Sequence, residues 1–188
     1  MVKVRLCFLS VWTFLDPIYY LFTRLTYLKD EEENSSVLRV RLTRYKGRPF
    51  TLSDGTVIQK NDLLIKIHLH NVKILKALNG LQGETAKGRM IYQQVKKSLP
   101  SLALFLNNHH NSSEIKGIIG ITMLNKGCNR LGFETFNIKS KYYRLIKHMV
   151  FIPMYCLSVN SISKLALKRP PKYLFMSRES LLENYLRK

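Results

Sequence analysis

The chain has 188 residues, of which 46% are hydrophobic and 11% aromatic. This apolar content is sufficient for one packed domain, and it excludes a predominantly disordered chain. Nine glycines and six prolines exclude collagen-like or low-complexity architecture. The 31 lysines and arginines oppose only 12 acidic residues, which gives a formal net charge of +19. This excess predicts an anionic partner, either an acidic lipid surface or an anionic glycan, with nucleic acid as a weaker candidate.

The first 29 residues form an apolar segment that we predict to be helical. Its apolar run over residues 6–22 is interrupted by Asp16-Pro17, where Asp16 suits the cap of a second helix that Pro17 begins. Two helices over residues 3–15 and 17–27 follow from this pattern. Three interpretations stay open: a helical hairpin in the core, an amphipathic anchor on a membrane surface, and a transmembrane span, which the central aspartate disfavours.

The rest of the chain divides into an acidic linker and one larger domain. Residues 30–36 (DEEENSS) contain four of the twelve acidic residues and no apolar period, which predicts a surface loop. For residues 37–188 we predict a single α+β domain, in which a small antiparallel sheet packs against several helices.

Strands are predicted where apolar and polar residues alternate. This period appears over residues 37–45 and again over 63–70. Between them, Asp54-Gly55 predicts a hairpin that joins residues 50–52 to 56–58. In the second strand the alternation places the apolar side chains on one face, and we expect the opposite, polar face to be exposed. The apolar set is Leu63, Ile65, Ile67 and Leu69, and the polar set is Lys66, His68 and His70.

Helices and further strands follow in the second half. Helical spacing predicts a helix over 72–78 capped by Asn71, and another over 84–99 that continues beyond Pro100 to residue 106. Continuous apolar or alternating residues predict strands over 115–124, 133–138 and 173–176. A helix over 141–152 is expected to end at Pro153. Ser177 is the predicted N-cap of a terminal helix, with Ser180 at its third position.

Short strings over nearly the whole chain carry a family resemblance. They are DPIYY at 16–20 with Trp12 before it, RPFTLSDGT at 48–56, Asn61-Asp62, IHLHN at 67–71, GIT at 120–122, RLGFE at 130–134, and the closing stretch from Pro171 to Arg178. Together they resemble the YkoP-like family of bacterial proteins. The family is similar to a domain fused behind polysaccharide deacetylases, so the resemblance implies an envelope-glycan context and no particular reaction. Where this chain has Asn61, the family prefers glycine.

The candidate ligand-binding site lies on the polar face of the two alternating strands. If the strands pair, Arg39 and Arg41 share that face with Lys66, His68 and His70, and such a surface suits an anionic or hydroxylated ligand. Two histidines at this spacing can also approach one metal ion, but a third ligand is missing nearby, so we predict no metal site. The simpler alternative is an ordinary polar sheet face.

No catalytic residue or cofactor is predicted. The chain contains no glycine-rich phosphate loop, no GxSxG nucleophile motif and no paired carboxylates for sugar cleavage. Its three widely spaced cysteines, Cys7, Cys128 and Cys156, fit buried thiols in a reducing cytoplasm.

The sequence therefore favours a non-enzymatic accessory or binding protein. We expect it to be cytoplasmic, with peripheral contact at the inner membrane face, and to serve cell-envelope polysaccharide metabolism. The basic charge indicates the membrane contact, whereas the polysaccharide context is what the resemblance implies. The alternatives are a nucleic-acid-binding protein and an unrecognised glycan-modifying enzyme.

Overall fold

The computed structural model describes residues 25–29, 35–159 and 170–186. Most of the predicted N-terminal helices and of the acidic linker lie outside these ranges, and the division at residues 29 and 36 stays a prediction. The second predicted helix is wrong at its last two residues, because Thr26 and Tyr27 belong to a strand. Both residue types favour extended backbone, and this segment pairs with the edge of the following strand.

The described ranges contain eight strands. They are β1 (Thr26–Lys29), β2 (Ser35–Arg44), β3 (Phe50–Thr51), β4 (Val57–Ile58), β5 (Leu63–Leu69), β6 (Ile115–Thr122), β7 (Glu134–Asn137) and β8 (Lys172–Ser177). Six of them form one sheet in the order β1-β2-β5-β6-β8-β7, and β3 pairs with β4 in a separate hairpin.

The predicted α+β class is confirmed, but the prediction of a small antiparallel sheet is wrong. The main sheet has six strands and is mixed, because β5 and β6 run parallel. The chain leaves β5, passes through two helices and returns in the same direction, and such a crossover is what parallel pairing requires.

Four α-helices and one short 3-10 helix complete the described part of the fold. The α-helices are α1 (Asn71–Ala77), α2 (Glu84–Asn108), α3 (Lys141–Val159) and α4 (Arg178–Tyr185), and the 3-10 helix is Cys128–Leu131. In these ranges no helix is at once long and apolar enough to cross a bilayer.

Four predictions about the helices can be compared with the structure. Helix α2 continues through Pro100 as expected, but α3 does not end at Pro153; an internal proline removes one backbone hydrogen bond without ending every helix. Asn71 is the first residue of α1 rather than its cap, because the His70 N–H still donates to the Val37 carbonyl and extends the strand pairing by one residue. The predicted cap of α4 is confirmed, since the Ser180 N–H donates to Ser177 Oγ at 2.9 Å.

The main core lies between one face of the sheet and helices α2 and α4. Its most buried members come from β2, β5, β6 and both helices, namely Leu38, Val40, Ile65, Ile118, Leu99, Leu102, Leu106 and Leu181. Leu63, Ile67 and Leu69 pack against this cluster, which confirms the predicted apolar face of β5. Burial of these side chains supplies the main driving force for folding.

The opposite face of the sheet is partly covered by the β3–β4 hairpin. Leu52 and Ile58 of the hairpin pack on Leu64, Ile119 and Phe175 of the sheet. The expectation that β5 buries only one face is therefore wrong, because Leu64 and its neighbour Ile65 both have no exposed surface.

Polar contacts fix the hairpin to the rest of the domain. The backbone N–H and hydroxyl of Ser53 both donate to Glu134 Oε1 at 2.8 Å, and the Ser180 hydroxyl contacts Asp54 Oδ2 at 3.1 Å. After the hairpin the chain turns at Asn61, whose φ is +73°. Glycine and asparagine tolerate this left-handed conformation best.

Two leucines on α2 test which face of that helix carries the core. Leu102 is fully buried, whereas Leu104 is 47% exposed. We expect Leu102→Ala to lower the free energy of unfolding by about 2–5 kcal/mol, because it leaves a cavity. Leu104→Ala is the matched control and should change it by less than about 1 kcal/mol. Urea unfolding of both variants measures the difference, and similar losses would contradict the assigned core.

Candidate ligand-binding site

The structure brings the predicted polar residues onto one face of the sheet. In the antiparallel register of β2 and β5, Arg39 lies opposite His68 and Arg41 lies opposite Lys66. Directly opposite side chains in such a pair are neighbours on the same face. We call Arg39, Arg41, Lys66, His68 and His70 the basic sheet face.

One end of the basic sheet face is packed against protein. Arg39 Nη2 lies 2.9 Å from His70 Nε2, and the Arg39 guanidinium lies 4.8 Å from the centre of the Tyr27 ring. The Tyr27 and His70 rings also contact each other, with centroids 5.7 Å apart. Arg39 is only 1% exposed, so at this end the expectation of an exposed polar face is wrong. The cause is strand β1, which places Tyr27 opposite Arg39.

The other end meets helix α3. Lys147 of α3 lies near Arg41 and Lys66: its charge acts on Lys66, and the charge of Arg41 acts on Lys147. The Lys147 ammonium lies 5.4 Å from the centre of the Tyr143 ring, and that ring stacks on Tyr173 of β8 with a centroid distance of 6.5 Å and an interplanar angle of 19°. We call Arg41, Lys66 and Lys147 the cationic cluster, and the two tyrosines flank it.

Sequence reasoning did not assign Lys147, Tyr143 or Tyr173 to the site. A usable signal was present in the helix: Tyr143 and Lys147 are four residues apart, which puts them on one side of α3. The partner strands of Tyr173 could not be inferred from its local pattern.

Like charges make the cationic cluster electrostatically unfavourable. Burial, followed by the charges of Lys147 and Arg41, lowers the pKa of Lys66 to about 8. Burial and Arg41 also lower the pKa of Lys147, and no carboxylate contributes to either shift. Arg41 Nε is buried, and it makes no hydrogen bond within the described part of the chain.

His68 is held in its neutral form. Burial lowers its pKa to about 3, and the charges of Lys66, Arg41, Lys147 and Arg39 act in the same direction. A neutral imidazole can still donate one hydrogen bond and accept another. At neutral pH this ring therefore contributes polarity to the site without contributing charge.

The other candidate groups are not brought into this site. His109 and His110 stack on each other with ring centroids 4.2 Å apart, and the Asn111 N–H donates to His109 Nδ1 at 3.1 Å. Within the described ranges, no three His, Cys, Asp or Glu side chains form a group that could hold a metal ion.

Cys128 fits the interpretation of an unreactive thiol. Burial raises the pKa of Cys128 to about 11, and its thiol donates to the Leu124 carbonyl at 3.5 Å. A thiol that stays protonated at neutral pH is a poor nucleophile. Cys7 and the side chain of Cys156 lie outside the described part of the chain.

The fold and the site define an α+β domain with a six-stranded mixed sheet and a cationic cluster on one sheet face. The family model of the YkoP domain matches residues 5–185. The chain is also 46% identical over 187 residues to a Bacillus subtilis (strain 168) protein described as "Uncharacterized protein YkoP", covering 98% of this chain and 100% of that protein. The chain therefore belongs to the YkoP domain family, which confirms the family resemblance. No solved structure matches it significantly.

The low pKa of His68 predicts a specific loss of stability in acid. Between its unperturbed pKa of 6.5 and the folded value of about 3, the unfolded chain binds a proton at His68 that the folded chain does not. Stability should therefore fall as the pH drops through this window, by up to about 2 kcal/mol at about pH 5. His68→Asn removes this contribution, so the wild type should lose more stability than the variant between about pH 7.5 and about pH 5.

Urea unfolding at the two pH values measures this effect. The same substitution at His110, an exposed loop residue, controls for the removal of one imidazole. An equal loss of stability in wild type and His68→Asn would show that His68 is not the group that carries the pH dependence.

Proposed function

We propose that this protein is a non-enzymatic accessory or binding protein at the cytoplasmic face of the membrane. In this proposal it serves cell-envelope polysaccharide metabolism and binds an anionic group in the cationic cluster. The polysaccharide context rests on the family resemblance, in which similar domains are fused behind polysaccharide deacetylases. The anionic ligand rests on the geometry of Arg41, Lys66 and Lys147.

The observation that carries the proposal is that three cations lie together and that one of them, Arg41, has a buried donor without a hydrogen bond within the described ranges. Arg41 Nε is buried and makes no hydrogen bond to any described residue, and a buried donor without a partner costs about 1–3 kcal/mol. A phosphate or carboxylate would accept from the Arg41 guanidinium and from the two lysines, since these groups form strong charge-assisted hydrogen bonds with oxyanions. The bound anion would also offset the repulsion within the cluster.

Neighbouring polar groups would suit a ligand that carries a sugar. The hydroxyls of Tyr143 and Tyr173 hydrogen-bond to each other, and each hydroxyl can take part in a further hydrogen bond. The neutral ring of His68 carries one donor and one acceptor. Sugar hydroxyls need partners of both kinds. A sugar that bears a phosphate or a carboxylate therefore matches both parts of the site.

The composition of the site favours binding over sugar cleavage. Glycoside hydrolysis usually requires two carboxyl groups placed on either side of the scissile bond. None of the carboxylates in the described part of the chain influences Lys66, His68 or Lys147. We therefore assign the cluster a binding role.

Neutralising the cluster should weaken the binding of a hexose phosphate. We expect Arg41→Gln and Lys66→Gln each to weaken the affinity by about 10- to 100-fold, the value of one lost charge-assisted hydrogen bond. Lys97→Gln is the matched control, because Lys97 is an exposed lysine of α2, the helix that packs on the other face of the sheet. Isothermal titration calorimetry measures the affinities, and thermal melts establish that the variants are folded.

Two results would contradict this proposal. Equal affinities in the wild type and the cluster variants would remove the ligand from the cluster. Salt-sensitive binding of an oligonucleotide, without binding of the hexose phosphate, would instead support the nucleic-acid alternative.

Anion affinity should also fall as the pH rises through about 8, the pKa of Lys66. Above that value Lys66 becomes neutral in the free protein and loses its attraction for the anion. The groups that interact electrostatically with Lys66 are Arg41, neutral His68 and Lys147, whose pKa is lowered. Beyond them lie Tyr143, whose pKa is raised, and Tyr173, whose pKa burial raises to about 12. Of these, only Lys147 can reinforce the loss.

Inorganic sulfate is the suitable probe, because its charge is constant over this range. Titrations at about pH 7 and about pH 9 should show weaker binding at the higher pH. Lys66→Gln should flatten this dependence. An affinity that is unchanged or rises with pH in the wild type would exclude Lys66 from the anion site.

A further inference from the structure

The outer side of helix α3 carries an exposed apolar stripe. Its exposed fractions run from 54% at Val150 to 84% at Tyr142. We call the five residues Tyr142, Leu145, Ile146, Met149 and Val150 the α3 stripe. Their spacing of three and four residues places them on one side of a helix.

The polarity of this part of α3 is the reverse of what a surface helix normally shows. Tyr143 and Lys147 face the sheet and the cationic cluster, while the α3 stripe faces outward. A surface helix in a soluble domain usually buries its apolar side and exposes its polar side. Contiguous exposed apolar surface of this kind marks an interaction site.

The charge around the α3 stripe indicates what covers it. Lys141 is exposed and borders the stripe, four residues before Leu145 on the first turn of the helix, and the chain as a whole has a formal charge of +19. Residues 149–159, the second half of α3, contain no charged side chain. Apolar side chains bordered by basic ones are typical of a helix that lies in the interface of an anionic membrane.

We propose that the α3 stripe docks this protein onto an anionic membrane surface, with Lys141 at the lipid headgroups. This proposal rests on the membrane location in the proposed function, to which it adds the docking element. Because Lys147 lies on the other side of the same helix, docking brings the cationic cluster close to the membrane surface.

Vesicle cosedimentation tests the proposal directly. The double variant Ile146→Ser, Met149→Ser should bind vesicles of phosphatidylglycerol and phosphatidylcholine at least about tenfold more weakly than wild type, because it removes apolar surface that enters the bilayer. Leu104→Ser is the matched control, since Leu104 is a comparably exposed leucine on α2, and it should bind as the wild type does. Lys141→Gln should weaken binding and reduce its sensitivity to salt.

Three outcomes would overturn the docking proposal. They are equal vesicle binding by the stripe variant and the wild type, equal binding to vesicles of phosphatidylcholine alone, and a wild-type dimer that the stripe variant abolishes while neither protein binds vesicles. The last result, measured by sedimentation equilibrium, would assign the α3 stripe to a second copy of the chain.

Sulfate titration of the same proteins separates this proposal from the proposed function. Retained sulfate affinity with no vesicle binding in the wild type would reject the docking element and leave the anion site in place. Vesicle binding that depends on the α3 stripe, in a protein that binds no sulfate or hexose phosphate, would retain the docking element and reject the anion site.

Discussion

The antiparallel register between β2 and β5 is the constraint on which the rest of the structure depends. It runs from Leu38 opposite Leu69 to Arg44 opposite Leu63. Because side chains alternate along a strand, this one register directs one set of apolar side chains toward α2 and α4 and sends Arg39, Arg41 and Lys66 to the other face. A shift by one residue would exchange the two sets and place charged groups in the core. The fold and the cationic cluster are thus specified by the same pairing.

Local patterns were sufficient for the elements whose signal lies within a few residues. Alternation predicted β2 and β5 and which residues lie on each of their faces, and Asp54-Gly55 predicted the hairpin. Ser177 was correctly predicted as the N-cap of α4. The parallel pairing of β5 with β6 has no such signal, because a strand's period does not identify its neighbour. Helix α3 passed its predicted end at Pro153, because an internal proline removes one backbone hydrogen bond and does not end every helix.

The residues of the candidate site also fall into those that local sequence patterns predict and those that only the tertiary fold brings together. Arg41 and Lys66 were predicted together because each lies in a strand with a clear period. Lys147, Tyr143 and Tyr173 reach them only through the tertiary fold, from segments that are distant in the sequence. The predicted exposure of Arg39 was wrong, because Tyr27 packs over Arg39. Tyr27 lies in a segment that was predicted as a helix. A residue's face can be predicted from its own strand, whereas its exposure depends on what packs above it.

Helix α3 combines two local departures from the rules of a stable fold. On its inner side Lys147 is held against Arg41 and Lys66, which costs electrostatic free energy. On its outer side the α3 stripe leaves apolar surface in water, which forgoes the gain from burial. Neither arrangement stabilises the isolated domain: an anion bound in the cluster would offset the cations, and lipid over the stripe would cover its apolar surface. Sequences tend to break such rules at functional sites, and both breaks fall on one helix.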